Sequence, residues 1–416
     1  MTNLNDMNKK TSSKQYIEME HKHGAHNYHP LPVVLERGEG VFVWDVDGNR
    51  YYDFLSAYSA VNQGHCHPDI VGSLVAQSQR LTLTSRAFYN NRLGPFEAFI
   101  TNLFGYDKVL AMNTGAEAVE TAIKLCRKWA YEKKGIAENQ AQIVVCENNF
   151  HGRTTTIVSF SVDPEATTHY GPFTPGFIVI PYNDVIALEQ LLKENKNIAG
   201  FLVEPIQGEA GANVPDEGYL KQCSELCKKH NVLFMADEVQ TGLARTGRML
   251  ACDYENVRPD VLILGKALSG GVYPVSAVLA DNELMEVFRP GQHGSTFGGN
   301  PVAAVVTMTA LKVIQREQLA ENAYELGNYF REEMTQLCEE SPIASFVRGK
   351  GLLNALIINN SSSTNLAWDI CVKLAENGLL AKPTHTNIIR FAPPLVITRE
   401  QLTECIQIIR NTVLSF

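Results

Sequence analysis

The chain has 416 residues, 45% of them hydrophobic and 19% charged, the composition of an ordinary globular protein long enough for more than one domain. Its net charge of −9 would repel a long polyanion, which argues against nucleic acid as a partner. No apolar run is long enough to span a bilayer. The nine scattered cysteines are odd in number and lack a CxxC pair, which argues against a disulfide framework or zinc knuckle and suits a reducing, cytoplasmic setting.

Residues 1–20 are polar, have no apolar stretch of the secretory kind and include Asp6, Glu18 and Glu20; they read as a flexible N-terminal segment. From Gly40 to Phe54 the pattern is a hairpin. Val41, Val43 and Tyr51 alternate with polar positions, and Asp47-Gly48-Asn49 supplies the turn. Aliphatic runs then follow at Lys108 to Met112, Ile143 to Cys146, Ile198 to Val203, Val232 to Ala236, Val261 to Leu264 and Val275 to Ala280. Such runs, without clean alternation, predict strands buried on both faces. Helical stretches lie between several of them, such as Gly115 to Ala130 and Tyr219 to His230. Cys223 and Cys227 on the latter read as half-buried free thiols. From about Pro301 long helices take over, followed by a short α+β stretch; 361–364 reads as a loop. The fold class is therefore α/β: a large domain over 71–305 with a mostly parallel sheet flanked by helices, and a smaller α+β domain built from both termini, 21–70 and 306–416.

In open α/β sheets ligands sit at the carboxyl ends of strands. After Lys108 to Met112, Gly115 opens a helix whose first N–H groups are unpaired, which suits a phosphate; alone, such a glycine is more often just a turn. After Val232 to Ala236 comes Asp237. A carboxylate there needs a cation such as a protonated pyridine nitrogen, although by itself it reads first as a helix N-cap. After Val261 to Leu264 comes Lys266, flanked by glycines. Desolvation would make its amine nucleophilic, while the default for an isolated lysine is to snorkel to the surface. Asp237 and Lys266, both at strand ends beside a phosphate turn, together meet the three demands of pyridoxal phosphate: a phosphate site, a ring-nitrogen partner and a Schiff-base lysine. His65 and His67 form a His-x-His pair without ligand-spaced partners; they read as packing and hydrogen-bonding residues, and no metal site is expected.

These blocks identify the chain as resembling the class III aminotransferases of the fold-type I pyridoxal-phosphate enzymes. The resemblance runs from about Gly24 to Phe416. Asp237-Glu238-Val239-Gln240 and Gly265-Lys266-Ala267-Leu268-Ser269-Gly270-Gly271 carry the class. Asn27-Tyr28-His29-Pro30 and Asn149-Phe150-His151-Gly152-Arg153 point to its ornithine branch. The resemblance implies that Lys266 binds the cofactor covalently and shuttles the proton, and that Asp237 keeps the ring nitrogen protonated. By the same likeness Gln240 bonds the ring oxygen, Phe150 stacks on the ring, and Gly115, Ala116, Ser295 and Thr296 hold the phosphate. Thr296 would reach in from a second subunit, making the protein a homodimer, possibly of higher order, with sites completed across the interface. Arg153 with Tyr28 would bind the α-carboxylate of ornithine, and Tyr58 would shape the pocket. Arg390 would bind the α-carboxylate of 2-oxoglutarate, with Glu209 masking it while ornithine is present. The implied reaction moves the δ-amino group of L-ornithine to 2-oxoglutarate, linking arginine catabolism to proline biosynthesis. The nearest alternatives are aminotransferases for N-acetylornithine, 4-aminobutyrate or lysine. His151 stands where a tryptophan is expected in many relatives, and a titratable ring there would alter pocket shape or pH response.

Overall fold

The computed structural model describes residues 11–359 and 365–416; the expected loop at 361–364 and residues 1–10 lie outside the described residues. The rest of the N-terminal segment differs from the flexible stretch expected, because Ser13–His23 forms a helix. Its start is closed by a capping box in which the Ser12 hydroxyl and the Gln15 side chain each take a backbone N–H of the other. None of its residues is buried, so local capping rather than core packing distinguishes it. No helix among the described residues is long and apolar enough to cross a membrane.

The expected hairpin is present. Strands β1 (Leu35–Glu39), β2 (Phe42–Asp45) and β3 (Arg50–Asp53) pair antiparallel. Asp45 organises the β2–β3 turn by accepting the N–H groups of Asp47 and Asn49 at 3.0 and 2.8 Å.

A seven-stranded sheet forms the centre of the molecule. It contains β4 (Lys108–Met112), β5 (Gln142–Cys146), β6 (Phe177–Ile180), β7 (Ile198–Val203), β8 (Leu233–Asp237), β9 (Val261–Leu264) and β10 (Ser276–Ala280) in the order β4-β10-β9-β8-β7-β5-β6. From β9 to β6 every neighbouring pair is parallel, and only β10 runs antiparallel to its two neighbours. Side chains of one strand enter different cores. Ile143 and Val145 pack beneath the helix Gly115–Trp129, while Val144 and Cys146 pack beneath the helix Tyr219–Lys229. This explains the unbroken aliphatic runs: both faces leave water, at about 1.5–3 kcal/mol of stabilisation per large aliphatic side chain. Cys223 and Cys227 are fully buried and free rather than half-buried, since both face that second core.

Beyond the long helices Pro301–Arg316 and Leu319–Glu340 lie β11 (Ala344–Lys350), β12 (Leu353–Ile358), β13 (Leu379–Leu380), β14 (Lys382–Thr384) and β15 (Ile388–Phe391). Four of these form a sheet in the order β11-β12-β15-β14, whereas β13 pairs in parallel with β3. The N-terminal hairpin and the C-terminal strands are thereby joined. Arg245, fully buried, fastens the junction through Asn62 Oδ1 at 2.6 Å and the carbonyls of Leu352 and Pro393 at 2.9 and 2.7 Å. His65 and His67 each meet a carboxylate, Asp53 at 2.7 Å and Glu317 at 3.0 Å.

Candidate active site

The carboxyl ends of the parallel strands surround a cavity of about 190 Å3 lined by Gly115, Ala116, Phe150, Asp237, Gln240 and Lys266, among others. Asp237 is the last residue of β8 and is buried. Its Oδ1 accepts the Val239 N–H at 3.0 Å and its Oδ2 lies 2.6 Å from His151 Nδ1. Lys266 lies two residues past β9 and opens a short 3-10 turn with φ of +46°. A lysine held in the left-handed region is strained, a condition that persists where surroundings over-determine it, often at functional sites. Burial lowers the pKa of its amine; Arg390 pushes in the same direction, and Glu209, Asp237 and Glu204 oppose without cancelling it. The amine is thereby brought towards its nucleophilic form.

The turn after β4 is prepared for an anion. Thr114 caps the helix Gly115–Trp129, and Glu117 reaches back to the N–H groups of Asn113 and Thr114 at 2.8 and 3.2 Å. The Gly115 and Ala116 N–H groups, at the first two helical positions, have no helical partner and carry the positive end of the helix dipole. Gly152, at φ of +130°, presses the loop after β5 against this turn: a Cβ there would stand 2.9 Å from Ala116 Cβ. Approach is equally close at Gly208, where a Cβ would fall 1.6 Å from Gln240 Oε1. That oxygen is buried without a protein partner.

On another wall Glu209 Oε1 receives two donors, Arg390 Nη1 at 2.8 Å and Gln240 Nε2 at 2.9 Å. Arg390 comes from β15 and is only 4% exposed. Burial would raise the Glu209 pKa, but Arg390, Lys266 and the two hydrogen bonds outweigh it and bring it to about 2. The Arg390 guanidinium lies 4.9 Å from the centre of the Tyr58 ring. Tyr58 belongs to a left-handed turn, Ser56 to Ser59, with φ of +49°, +45°, +61° and +70°. No glycine relieves it, and such a conformation costs roughly 1–2 kcal/mol per residue. Burial raises the Tyr58 pKa; the charges of Arg390, Glu209, Tyr28 and Arg153 are also felt there. Tyr58, Arg390 and Glu209 are thus linked by direct contacts, and Tyr28 and Arg153 lie near enough for their charges to act on Tyr58. Tyr28 is 68% exposed, and Arg153 is exposed at the rim with its guanidinium 5.8 Å from the Phe150 ring centre.

The class-III aminotransferase family model matches residues 23–413. The chain belongs to the class-III aminotransferases. This aminotransferase is 61% identical to the mitochondrial ornithine aminotransferase of Drosophila melanogaster over 95% of its own chain and 90% of the relative. The ornithine aminotransferase of Toxoplasma gondii superposes with a TM-score of 0.95 at 48% identity, covering 97% of this aminotransferase and 96% of the other chain. An acetylornithine aminotransferase of Elizabethkingia anophelis superposes with a TM-score of 0.90 at 64% identity, covering 98% and 100%.

Two residues expected at the phosphate lie outside the cavity of this single aminotransferase chain. Ser295 Oγ instead accepts Asn113 Nδ2 at 2.8 Å, and Thr296 is exposed. Their loop is pinned through His293, whose ring nitrogens meet Thr121 Oγ1 at 2.8 Å and Lys124 Nζ at 2.9 Å. In the other direction, the cavity includes Glu204, to which the sequence analysis gave no role. The signal was available, since Glu204 directly follows the buried strand β7 as Asp237 ends β8. His151 lies deeper than a pocket-shaping residue need be, against Asp237 itself.

Proposed function

We propose that this aminotransferase uses pyridoxal phosphate to move the δ-amino group of L-ornithine to 2-oxoglutarate, giving L-glutamate 5-semialdehyde and L-glutamate. The residues fit the cofactor: a buried amine at Lys266, a carboxylate at Asp237 with unused acceptor capacity, and paired N–H donors at Gly115 and Ala116. The unpartnered Gln240 Oε1 adds a buried polar group facing the same space. When bound, pyridoxal phosphate supplies the aldehyde that receives an amine and the ring that disperses carbanion charge. Lys266 carries the proton to and from the substrate carbon with its Nζ. Asp237 would meet the ring nitrogen and hold its proton, and Phe150 would cover one ring face.

The observation that carries the substrate reading is the 2.8 Å pair between Glu209 and Arg390. One site must accept a basic amino acid and then a dicarboxylic keto acid. Paired with Glu209, Arg390 presents no free cation to the ornithine chain. When 2-oxoglutarate enters, its α-carboxylate takes the guanidinium and Glu209 stays held by Gln240. Arg153 and Tyr28 bind the ornithine α-carboxylate at the rim, so that the δ-amine rather than the α-amine would reach the cofactor aldehyde that Lys266 holds. A planar guanidinium suits that bidentate contact.

A second reading, N-acetylornithine as the amine donor, draws on the 64% identical structure bearing that name. The test is a half-reaction panel: bleaching of the cofactor-loaded protein by ornithine, acetylornithine, 4-aminobutyrate and lysine. Ornithine is expected to bleach it fastest, and faster bleaching by another amine would displace the ornithine reading. The assembly we propose is a homodimer in which the exposed Thr296 completes the partner's phosphate site. We assign it to the cytoplasm, on the support of nine free cysteines, and to the step between arginine catabolism and proline biosynthesis.

A further inference from the structure

The cavity floor holds two buried titratable groups for which amino transfer, as derived above, has no use: His151 at 4% exposure and Glu204 at 7%. They come from different strand ends, His151 from the loop after β5 and Glu204 from the end of β7, and meet at the first of these. Glu204 Oε2 accepts the Phe150 N–H at 2.9 Å, one residue from His151. His151 Nδ1 meets Asp237 Oδ2 at 2.6 Å, and its Nε2 is buried without a hydrogen-bond partner. A buried polar atom left unpaired is uncommon, so the ring forgoes a partner at Nε2 while its Nδ1 stands against the carboxylate that faces the cavity. The close approach of Gly152 to Ala116 holds the loop in place.

We propose that His151 is a positioning residue: with Glu204 it forms a buried proton-holding pair that orients Asp237 and sets how strongly that carboxylate retains a proton on the cofactor ring nitrogen. The orientation follows from geometry. The Val239 N–H fixes one Asp237 oxygen and His151 fixes the other, so the carboxylate cannot rotate, while lone pairs remain for the ring nitrogen. The tuning follows from charge. The groups acting on His151 are Asp237 at the end of β8 and Glu204 after β7; Lys266 and Glu209 act in turn on Glu204 or Asp237. The Phe160 ring, 6.0 Å away, covers the imidazole without charge. Burial disfavours an imidazolium, but the hydrogen bond and charge of Asp237, with Glu204 behind, outweigh it and raise the His151 pKa. Burial pushes Glu204 up to about 8, with His151 pulling it down and Asp237 pushing it further up. At neutral pH the Glu204 carboxyl is therefore held in its protonated form, and the raised His151 pKa favours an imidazolium, whose charge weakens the pull of Asp237 on the ring proton. As pH rises and Glu204 ionises, its charge offsets His151, and Asp237 holds the proton more firmly.

The inference rests on the aminotransferase reading but not on which amine is the donor. The test follows the visible absorbance of the cofactor-loaded protein across pH, together with cofactor release and thermal unfolding, in wild type, Glu204→Gln, His151→Leu and His151→Asn. In Glu204→Gln the spectral step expected near pH 8 should vanish. In His151→Leu the absorbance midpoint should move by about one unit, a roughly tenfold change in proton affinity, with kcat falling more than KM. His151→Asn, whose amide N–H falls where Nδ1 lies, should recover most of kcat but not the step. Wild-type titration in Glu204→Gln and in a folded His151→Leu would overturn the proposal; should the leucine variant fail to fold, Glu204→Gln alone decides. A protein that titrates as expected yet is not bleached by ornithine loses its substrate assignment and keeps this one; a protein that binds no pyridoxal phosphate loses both.

Discussion

The floor of the site and its rim are built on different principles. Asp237, Glu204 and Lys266 stand at the ends of three adjacent strands, each buried on both faces. Their positions are fixed by the sheet register, in which Asp237 lies opposite Ile263. Tyr28, Tyr58 and Arg153 come from loops and a strained turn far apart in the chain, and Tyr28 and Arg153 are exposed. The floor holds charge in a fixed, poorly solvated place, where electrostatic effects are large. In the proposed reaction the rim would recognise the part of the substrate that does not react. Arg390 and Glu209 lie between the two, with one partner buried in a strand and the other in a loop.

This contrast sets the expected sizes of perturbations. Lys266→Ala removes the proposed proton carrier from the floor and should slow single-turnover transfer by roughly a hundred- to ten-thousand-fold; a variant retaining most of its rate would deny Lys266 that role. Arg390→Ala strands Glu209 in the cavity. Removing one member of a buried charge pair costs about 2–5 kcal/mol, so the 2-oxoglutarate half-reaction should fall by roughly thirty- to several-thousand-fold. The ornithine half-reaction should change far less, and equal losses in both would show that the pair is no switch. At the rim, Arg153→Lys should raise the KM for ornithine by roughly tenfold with kcat little changed, because a lysine keeps the charge but loses the planar fork. The smallest effect concerns pH. The Glu209 pKa is depressed to about 2, so the stability and masking given by the pair are present above the ordinary carboxylate value and are lost only as pH falls towards that figure. Half-reaction rates between pH 6 and 9 should therefore show no step that Glu209→Gln removes.

The floor was legible in the sequence and the rim was not. Ile198–Val203 and Val261–Leu264 are strands with the expected bounds, because burial on both faces leaves an unmistakable aliphatic run. Strand β8 extends one residue further than its aliphatic run, since Asp237 itself joins the ladder. Glu204 obeyed the same strand-end logic and could have been found by it. The left-handed turn at Tyr58 had no local signal, for neither glycine nor asparagine marks it. Nor could spacing bring Glu209 to Arg390, 181 residues apart, because their contact depends on how the C-terminal sheet packs against the central one. Family resemblance supplied that pairing, and the coordinates place the two residues at hydrogen-bond distance.

The most direct test follows nitrogen. Purified protein given pyridoxal phosphate, 2-oxoglutarate and ornithine labelled with 15N at either the α or the δ position should transfer the label to glutamate only from the δ position, leaving a semialdehyde that retains the α-nitrogen. Label arriving in glutamate from the α position, or from neither position, would contradict a site that anchors ornithine by its α-carboxylate at Arg153 and delivers its far amine to the cofactor aldehyde that Lys266 would hold.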